Sequence, residues 1–189
     1  MKQQFQNWPE GYRTRTVPVI RGEFLVSSDP ELVLSTVLGS CVSVCLYDPE
    51  ARIGGMNHYL LADAREGEAT SLKYGANAME LLINNLLKSG ASRTTLQAKV
   101  FGGSRMSGRF GDIGPKNAEF ALRYLRAEDF PVRAQDLGGT DARRINFHPV
   151  TGKARIIHVS GAMDAAIVAP PPPPVAPPRS AKPDAVTLF

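Results

Sequence analysis

Two cysteines and three histidines are all the thiol and imidazole groups in this 189-residue chain. That scarcity argues against a disulfide-stapled secreted scaffold, which uses a much denser Cys framework. Nor is there the paired ligand spacing of a zinc site, so no metal is expected. No apolar run approaches the roughly 18 residues of a transmembrane helix, so no membrane insertion is expected. The first twenty residues, MKQQFQNWPEGYRTRTVPVI, lack the apolar h-region of a secretory signal. Charge of one sign is scarce too. Of the formal net charge of +4, the leader to Glu23 and the tail from Ala169 hold most, leaving a nearly neutral body. A neutral body lacks the basic footprint of a nucleic-acid binder. These absences read as a reduced, soluble, cytoplasmic protein.

What is present is enough apolar residue, 43%, for one hydrophobic core. Pro170 to Pro174 are consecutive prolines, with Pro177, Pro178 and Pro183 beyond. Such a stretch favours polyproline II and excludes helix and sheet interior. The expected organisation is a flexible N-terminal arm over 1–22, a folded domain over 23–165 and a disordered Pro-rich tail over 166–189. Trp8, Tyr12 and Val17 give the arm a means of packing in extended form.

Within the domain, Phe24 to Val26 reads as a short strand, and Asp29-Pro30 opens a turn or short helix through Leu34. Residues 41–47 alternate with strand periodicity, Asp48-Pro49 makes a turn, and Arg52 to Leu61 alternates again. Ser71 to Lys88 reads as a helix with an apolar face of Ala78, Leu82 and Leu86, widened by Met79 and Leu81. A strand follows over Thr95 to Phe101. A second helix starts near Pro115, buries Ala118, Ala121, Leu122 and Leu125, and closes before Pro131. Val132 to Leu137 is a strand, and Arg143 to Phe147 with Arg155 to Ser160 form a hairpin. Short turns between strands imply antiparallel pairing. The fold class is therefore α+β, with mainly antiparallel sheets and two principal helices.

The chemistry gathers on the hairpin from Cys41 to His58. With Asp48 to Ala51 as a four-residue loop, Tyr47 faces Arg52, Cys45 faces Gly54, Ser43 faces Met56 and Cys41 faces His58. Opposed residues on one face bring Cβ atoms to roughly 4.5–5.5 Å. A bulge at Gly54-Gly55 would slip that register by one. An imidazole beside a thiol can take its proton and hold the thiolate, the nucleophilic form. Gly39-Ser40 before the thiol offer a tight turn and backbone N–H groups for an oxyanion. The plainer reading is an ordinary buried Cys and a satisfied strand His; the facing register brings the two readings level. Cys45 lies roughly 13 Å along the strand from Cys41, beyond disulfide reach, and reads as core.

The run Leu38-Gly39-Ser40-Cys41-Val42-Ser43-Val44, with His58 seventeen residues after the Cys, resembles the signature of the CheD family. Lys99-Val100-Phe101-Gly102-Gly103, Ile113-Gly114, Asn117 and Asp136-Leu137-Gly138-Gly139 fit the same family, and the resemblance covers roughly Glu23 to Ser160. It implies an α/β sandwich and hydrolysis of glutamine side chains in methyl-accepting chemotaxis receptors to glutamate and ammonia. It also implies a Cys-His-Thr triad, with Cys41 as nucleophile, His58 as base and no cofactor. The third position, six residues before the Cys, is Ser35 here, and Thr36 follows it. Adjacent strand residues face opposite ways, so one of the two can serve.

Gly102 and Gly103 read either as an opening for substrate backbone or as a strand-ending turn. Asn117 reads as a polar group near the site or as a helix cap. Arg105 and Arg109 read as solvated surface charge or as contacts for acidic receptor helices, and His148 and His158 as structural. Two rival functions stand beside deamidation. One is an adaptor that docks to chemoreceptors or to a CheC-type phosphatase, a partner the resemblance implies in some systems. The other is a different cysteine amidohydrolase or peptidase on the same site chemistry.

Overall fold

The computed structural model describes residues 15–61, 68–106 and 112–159. The Pro-rich tail, most of the N-terminal arm and Arg109 lie outside the described residues. Among the described residues, nine strands form two sheets. One is β1 (Arg15–Pro18), β3 (Leu32–Leu38), β8 (Ala142–Phe147) and β9 (Ala154–Val159), in that order. The other runs β2 (Phe24–Ser27), β5 (Ile53–Asn57), β4 (Val42–Asp48), β6 (Gln97–Gly102) and β7 (Val132–Leu137). Two helices, α1 (Glu68–Lys88) and α2 (Ile113–Ala127), cover the five-stranded sheet. The class is α+β, as its sequence implies.

Strand periodicity sorts the core into two layers. On β4, Val42, Val44 and Leu46 point to the helices, where they meet Met79, Leu82 and Leu86 of α1 and Ala121 and Leu125 of α2. Cys45 points the other way, into a second cluster between the sheets with Leu34, Leu38, Met56, Phe101 and Phe147. Each layer removes a continuous apolar face from water, the dominant favourable term in folding. Leu81, expected on the buried face of α1, is 41% exposed, and Ile83 takes its place inside.

One expectation about the elements is corrected. Residues 32–38 form a strand, not the end of a turn or short helix. Leu32, Leu34 and Leu38 alternate into the inter-sheet core, a period of two that no helix satisfies. Pairing is mainly antiparallel, as expected: five strand pairs are antiparallel, and β1–β3 and β6–β7 are parallel. The second parallel pair follows from α2, which carries the chain back between β6 and β7 as a crossover. Residues 15–18 at the end of the arm form β1, where Val17 packs in extended form against the inter-sheet cluster, and Val19 is buried within it.

The hairpin register also differs. Asp48 pairs with Ile53, Tyr47 with Gly54 and Cys45 with Met56, without a bulge at the glycines. Asp48 Oδ1 accepts from the N–H groups of Glu50 and Ala51, and Arg52 takes a left-handed φ of 56°. The loop is therefore residues 49–52, one step later than expected. The slip moves each facing position by two, which keeps every side chain on its own face.

Candidate active site at the open end of the sheet pair

The corrected register puts Val42 opposite Tyr59, each bonded to the other through both backbone groups. Cys41 then falls opposite Leu60, with His58 diagonal to it on the same face. Between these pairs the ladder is opened by a side chain. Val44 N–H donates to Asn57 Oδ1 at 2.9 Å instead of to a backbone carbonyl, and Asn57 Nδ2 reaches Ala78 O at 3.2 Å. His58 N–H turns to Glu23 O, and His58 O accepts from Gly22 N–H. The imidazole is thereby held between the two sheets, 7% exposed.

The ring's partners fix its tautomer. Thr36 Oγ1 lies 2.7 Å from Val19 O, a group that can only accept, so the hydroxyl proton goes there. The same oxygen lies 2.8 Å from His58 Nδ1 and therefore accepts from it. Val19 O is also 3.3 Å from Nδ1, which again requires Nδ1 to carry the hydrogen. Nε2 is left with a bare lone pair and has no hydrogen-bond partner among the described residues, the Cys41 thiol included. Burial pushes His58 below its ordinary pKa; the Val19 carbonyl opposes this and Arg21 adds to it. The ring is thus a neutral base whose only unused nitrogen is Nε2.

Thr36 faces His58 because β3 sends Leu34, Thr36 and Leu38 to the inter-sheet side. Ser35 points to the opposite side, where its hydroxyl donates to Asn146 at 2.7 Å on the neighbouring strand. Of the two candidates for a third residue, Thr36 contacts the imidazole.

Cys41 is half-buried at the edge of the inter-sheet cluster, and both cysteines are free thiols. Burial raises its pKa, while the Arg21 charge and the residue's own backbone N–H work against that rise. Cys45, fully buried, is pushed up to about 12. Arg21 is exposed, in the turn before Gly22, and acts on the thiol and the imidazole alike. Neither Arg21 nor the Val19 carbonyl was singled out from sequence.

The loop that carries the thiol is pinned through its carbonyls. Gly39 O accepts from Ser104 N–H and Cys41 O from Gly103 N–H, each at 2.8 Å. Between them, Ser40 O accepts from Asn117 Nδ2 at 2.8 Å. Gly102 and Gly103 have φ of 110° and 67°, and a Cβ on Gly102 would collide with Cys41 O. Their close approach is to the loop that carries Cys41. Gly39 does not use a left-handed φ; Met106 Sδ sits 3.3 Å from where its Cβ would be. Asn117 is fully buried and caps no helix end; its Oδ1 accepts from Leu61 N–H at 2.8 Å.

Behind the glycines, Arg143 is buried and bonded to the carbonyl and carboxylate of Asp136, to Gly138 O and to Ser104 Oγ. His148 bonds Pro30 O and Thr151 N–H, and His158 lies 3.4 Å from Asp136, a partner its strand position had not suggested. No group of three or more His, Cys, Asp or Glu able to hold a metal occurs among the described residues. No helix of the described residues is long and apolar enough to cross a membrane.

With this geometry in place, relatives can be compared. The family model described as CheD chemotactic sensory transduction matches residues 60–158. The chain is 47% identical over 195 residues to "Probable chemoreceptor glutamine deamidase CheD 1" of Ruegeria sp. (strain TM1040), covering 100% of each. The chain belongs to the CheD family. It is also 53% identical over 148 residues to a "Probable chemoreceptor glutamine deamidase CheD" of Zymomonas mobilis, covering 77% of this chain and 81% of that one. A Neisseria meningitidis protein, NMB0706, of known crystal structure is similar at 15% identity and a TM-score of 0.37, over 62% of this chain and 52% of that one. Cys41 and His58 lie just ahead of the segment matched by the CheD model, whereas Asn117 and Arg143 fall inside it.

Proposed function

We propose that this CheD chain is a chemoreceptor glutamine deamidase in which Cys41 is the nucleophile, His58 the acid–base group and Thr36 the residue that orients it. The observation that carries the roles is the tautomer: Nδ1 is committed to Thr36 and Val19, so Nε2 presents a lone pair on the face that Cys41 shares. The names borne by close relatives support glutamine of chemoreceptors as the substrate.

The thiol proton passes to Nε2 and the sulfur attacks the glutamine Cδ, forming a C–S bond. Charge on the former carbonyl oxygen is met by backbone N–H groups at Ser40 and Cys41. The C–N bond then breaks, and the Nε2 proton leaves with the nitrogen as ammonia. Water adds to the thioester, giving one proton back to Nε2; the C–S bond breaks and the thiol is restored with glutamate released. Side chains, backbone and water suffice for these steps. In the resting protein Nε2 and the thiol are not yet bonded, and such contacts commonly tighten only once substrate is bound. A CheC-type phosphatase is a second partner under this reading.

The test is mass spectrometry of a chemoreceptor cytoplasmic fragment incubated with wild-type protein and with Cys41→Ala. A gain of about one mass unit at defined glutamines, absent with Cys41→Ala, is expected. New chain termini would instead indicate a peptidase. Binding without any change in mass by either protein would favour the docking adaptor.

A further inference from the structure

We infer that Asn117 is a positioning residue for the oxyanion: it holds the Ser40 carbonyl so that the Cys41 N–H is turned toward the reacting carbon. The inference rests on the deamidase reading and goes beyond it by assigning a residue remote from substrate.

The amide of Asn117 can sit only one way round. Leu61 N–H can only donate, so the atom facing it is Oδ1; Ser40 O can only accept, so the atom facing it is Nδ2. Both bonds are 2.8 Å, and the residue is fully buried. Its own carbonyl accepts from the Tyr59 hydroxyl at 3.1 Å, which ties the first turns of α2 to the strand end beside His58. Asn117 therefore joins three parts of the site: the Cys41 loop, the segment after His58 and helix α2.

The consequence follows from peptide geometry. No described peptide bond is cis, and in a trans peptide the C=O and N–H point to opposite sides. With Ser40 O fixed on Asn117, the N–H of Cys41 faces the other way, toward the thiol of its own residue. Gly39 O and Cys41 O are held by Ser104 and Gly103, so rotation of the central peptide has no slack on either side. An oxygen on a carbon bonded to Cys41 Sγ falls within reach of that N–H. A donor fixed before reaction costs no reorganisation when charge appears.

The probe is a short peptide bearing glutamate γ-semialdehyde. The thiol adds to the aldehyde, the C–S bond forms and the thiol proton ends on the new hydroxyl, so its oxygen occupies the oxyanion position. In 15N-labelled full-length wild type, the Cys41 amide proton is expected to move downfield on binding. In Asn117→Asp, which keeps an acceptor for Leu61 N–H and, ionised, sets an oxygen against Ser40 O where the donor was, aldehyde affinity is expected to fall about 10²-fold. Deamidation kcat should fall by a similar factor with KM unchanged. In Asn117→Ala, which adds no charge near the thiol, alkylation of Cys41 by iodoacetamide, which develops no oxyanion, should still proceed at a rate close to wild type. Asn117→Ala serves if the carboxylate variant does not fold. An unmoved Cys41 amide, or wild-type aldehyde affinity in the folded variant, overturns the inference. Asn117-dependent aldehyde binding without any receptor deamidation would instead sink the deamidase reading and leave this one standing.

Discussion

Thr36 Oγ1 stands 2.8 Å from His58 Nδ1 and 2.7 Å from Val19 O, and the second contact sets the direction of the first. Because the hydroxyl spends its proton on the carbonyl, it can only accept from the ring. Thr36→Val keeps the shape and removes that acceptor. The ring is then free to turn or to exchange tautomers, and kcat for deamidation is expected to drop about 10²-fold, the order of a small misplacement of a reacting group. Thr36→Ser should restore most of it. Ser35→Ala should leave kcat near wild type and cost about 1 kcal/mol of stability through the lost Asn146 bond. The reverse pattern in initial rates would move the orienting role to Ser35.

His58 titrates below its ordinary value of 6.5 because burial penalises the cation. A depressed folded pKa means the unfolded chain binds more protons between the two values. The contribution of His58 to stability is therefore present above about pH 6.5 and is lost as pH falls through the folded pKa. Urea midpoints should fall from pH 7 to pH 5 more steeply for wild type than for His58→Gln. Parallel curves would mean that the ring titrates as it does in the unfolded chain.

Much of this was legible in the sequence, because local pattern dictated it. The alternation in residues 42–48 and the apolar stripes of both helices emerge as strand and helices. The Cys41–His58 face was readable for the same reason, although the facing positions were off by two. That error came from Asp48, whose side chain closes the turn one residue later than the Asp-Pro pair suggests. The third residue was harder. The family resemblance favoured Ser35, but the Leu32, Leu34 and Leu38 alternation already showed which hydroxyl meets the ring, since it sends Thr36 to the core face. Reading 29–34 as a turn or short helix hid that signal. The Val19 carbonyl was out of reach for another reason, as was the partner of Asn117, a residue the sequence already offered as a polar group near the site. Their roles are long-range backbone contacts, and no spacing rule relates residue 19 to 36 or 117 to 40.

The two thiols should differ sharply in reactivity. Cys45 has no exposed surface and is pushed up to about 12, whereas Cys41 is half-buried with Arg21 opposing the effect of its burial. Native protein treated with iodoacetamide at neutral pH should carry one adduct, on Cys41, by peptide mapping. Arg21→Ala should slow that reaction a few-fold, the order expected of a solvent-exposed charge, and shift its pH profile upward. High salt should mimic the substitution in wild type. An Arg21→Ala profile superimposable on wild type would remove Arg21 from the site's electrostatics.

Arg143 offers the strongest stability prediction. Its guanidinium is buried and reaches Asp136, Gly138 and Ser104 together, which a fork of five donors can do and an ammonium cannot. Burial lowers its pKa, and the Asp136 carboxylate works against that. Arg143→Ala leaves the Asp136 carboxylate with His158 alone, strands two carbonyls and should cost about 3 kcal/mol in urea unfolding. Arg143→Lys should recover only part of that loss. The effect should reach the site as well. Ser104 N–H holds Gly39 O while Ser104 Oγ is held by Arg143, so loosening one end of this chain loosens the loop before Cys41. Faster hydrogen exchange at Ser104, before any global unfolding, is the expected signature in Arg143→Lys. Exchange unchanged there would show that the glycine turn is held by its backbone alone.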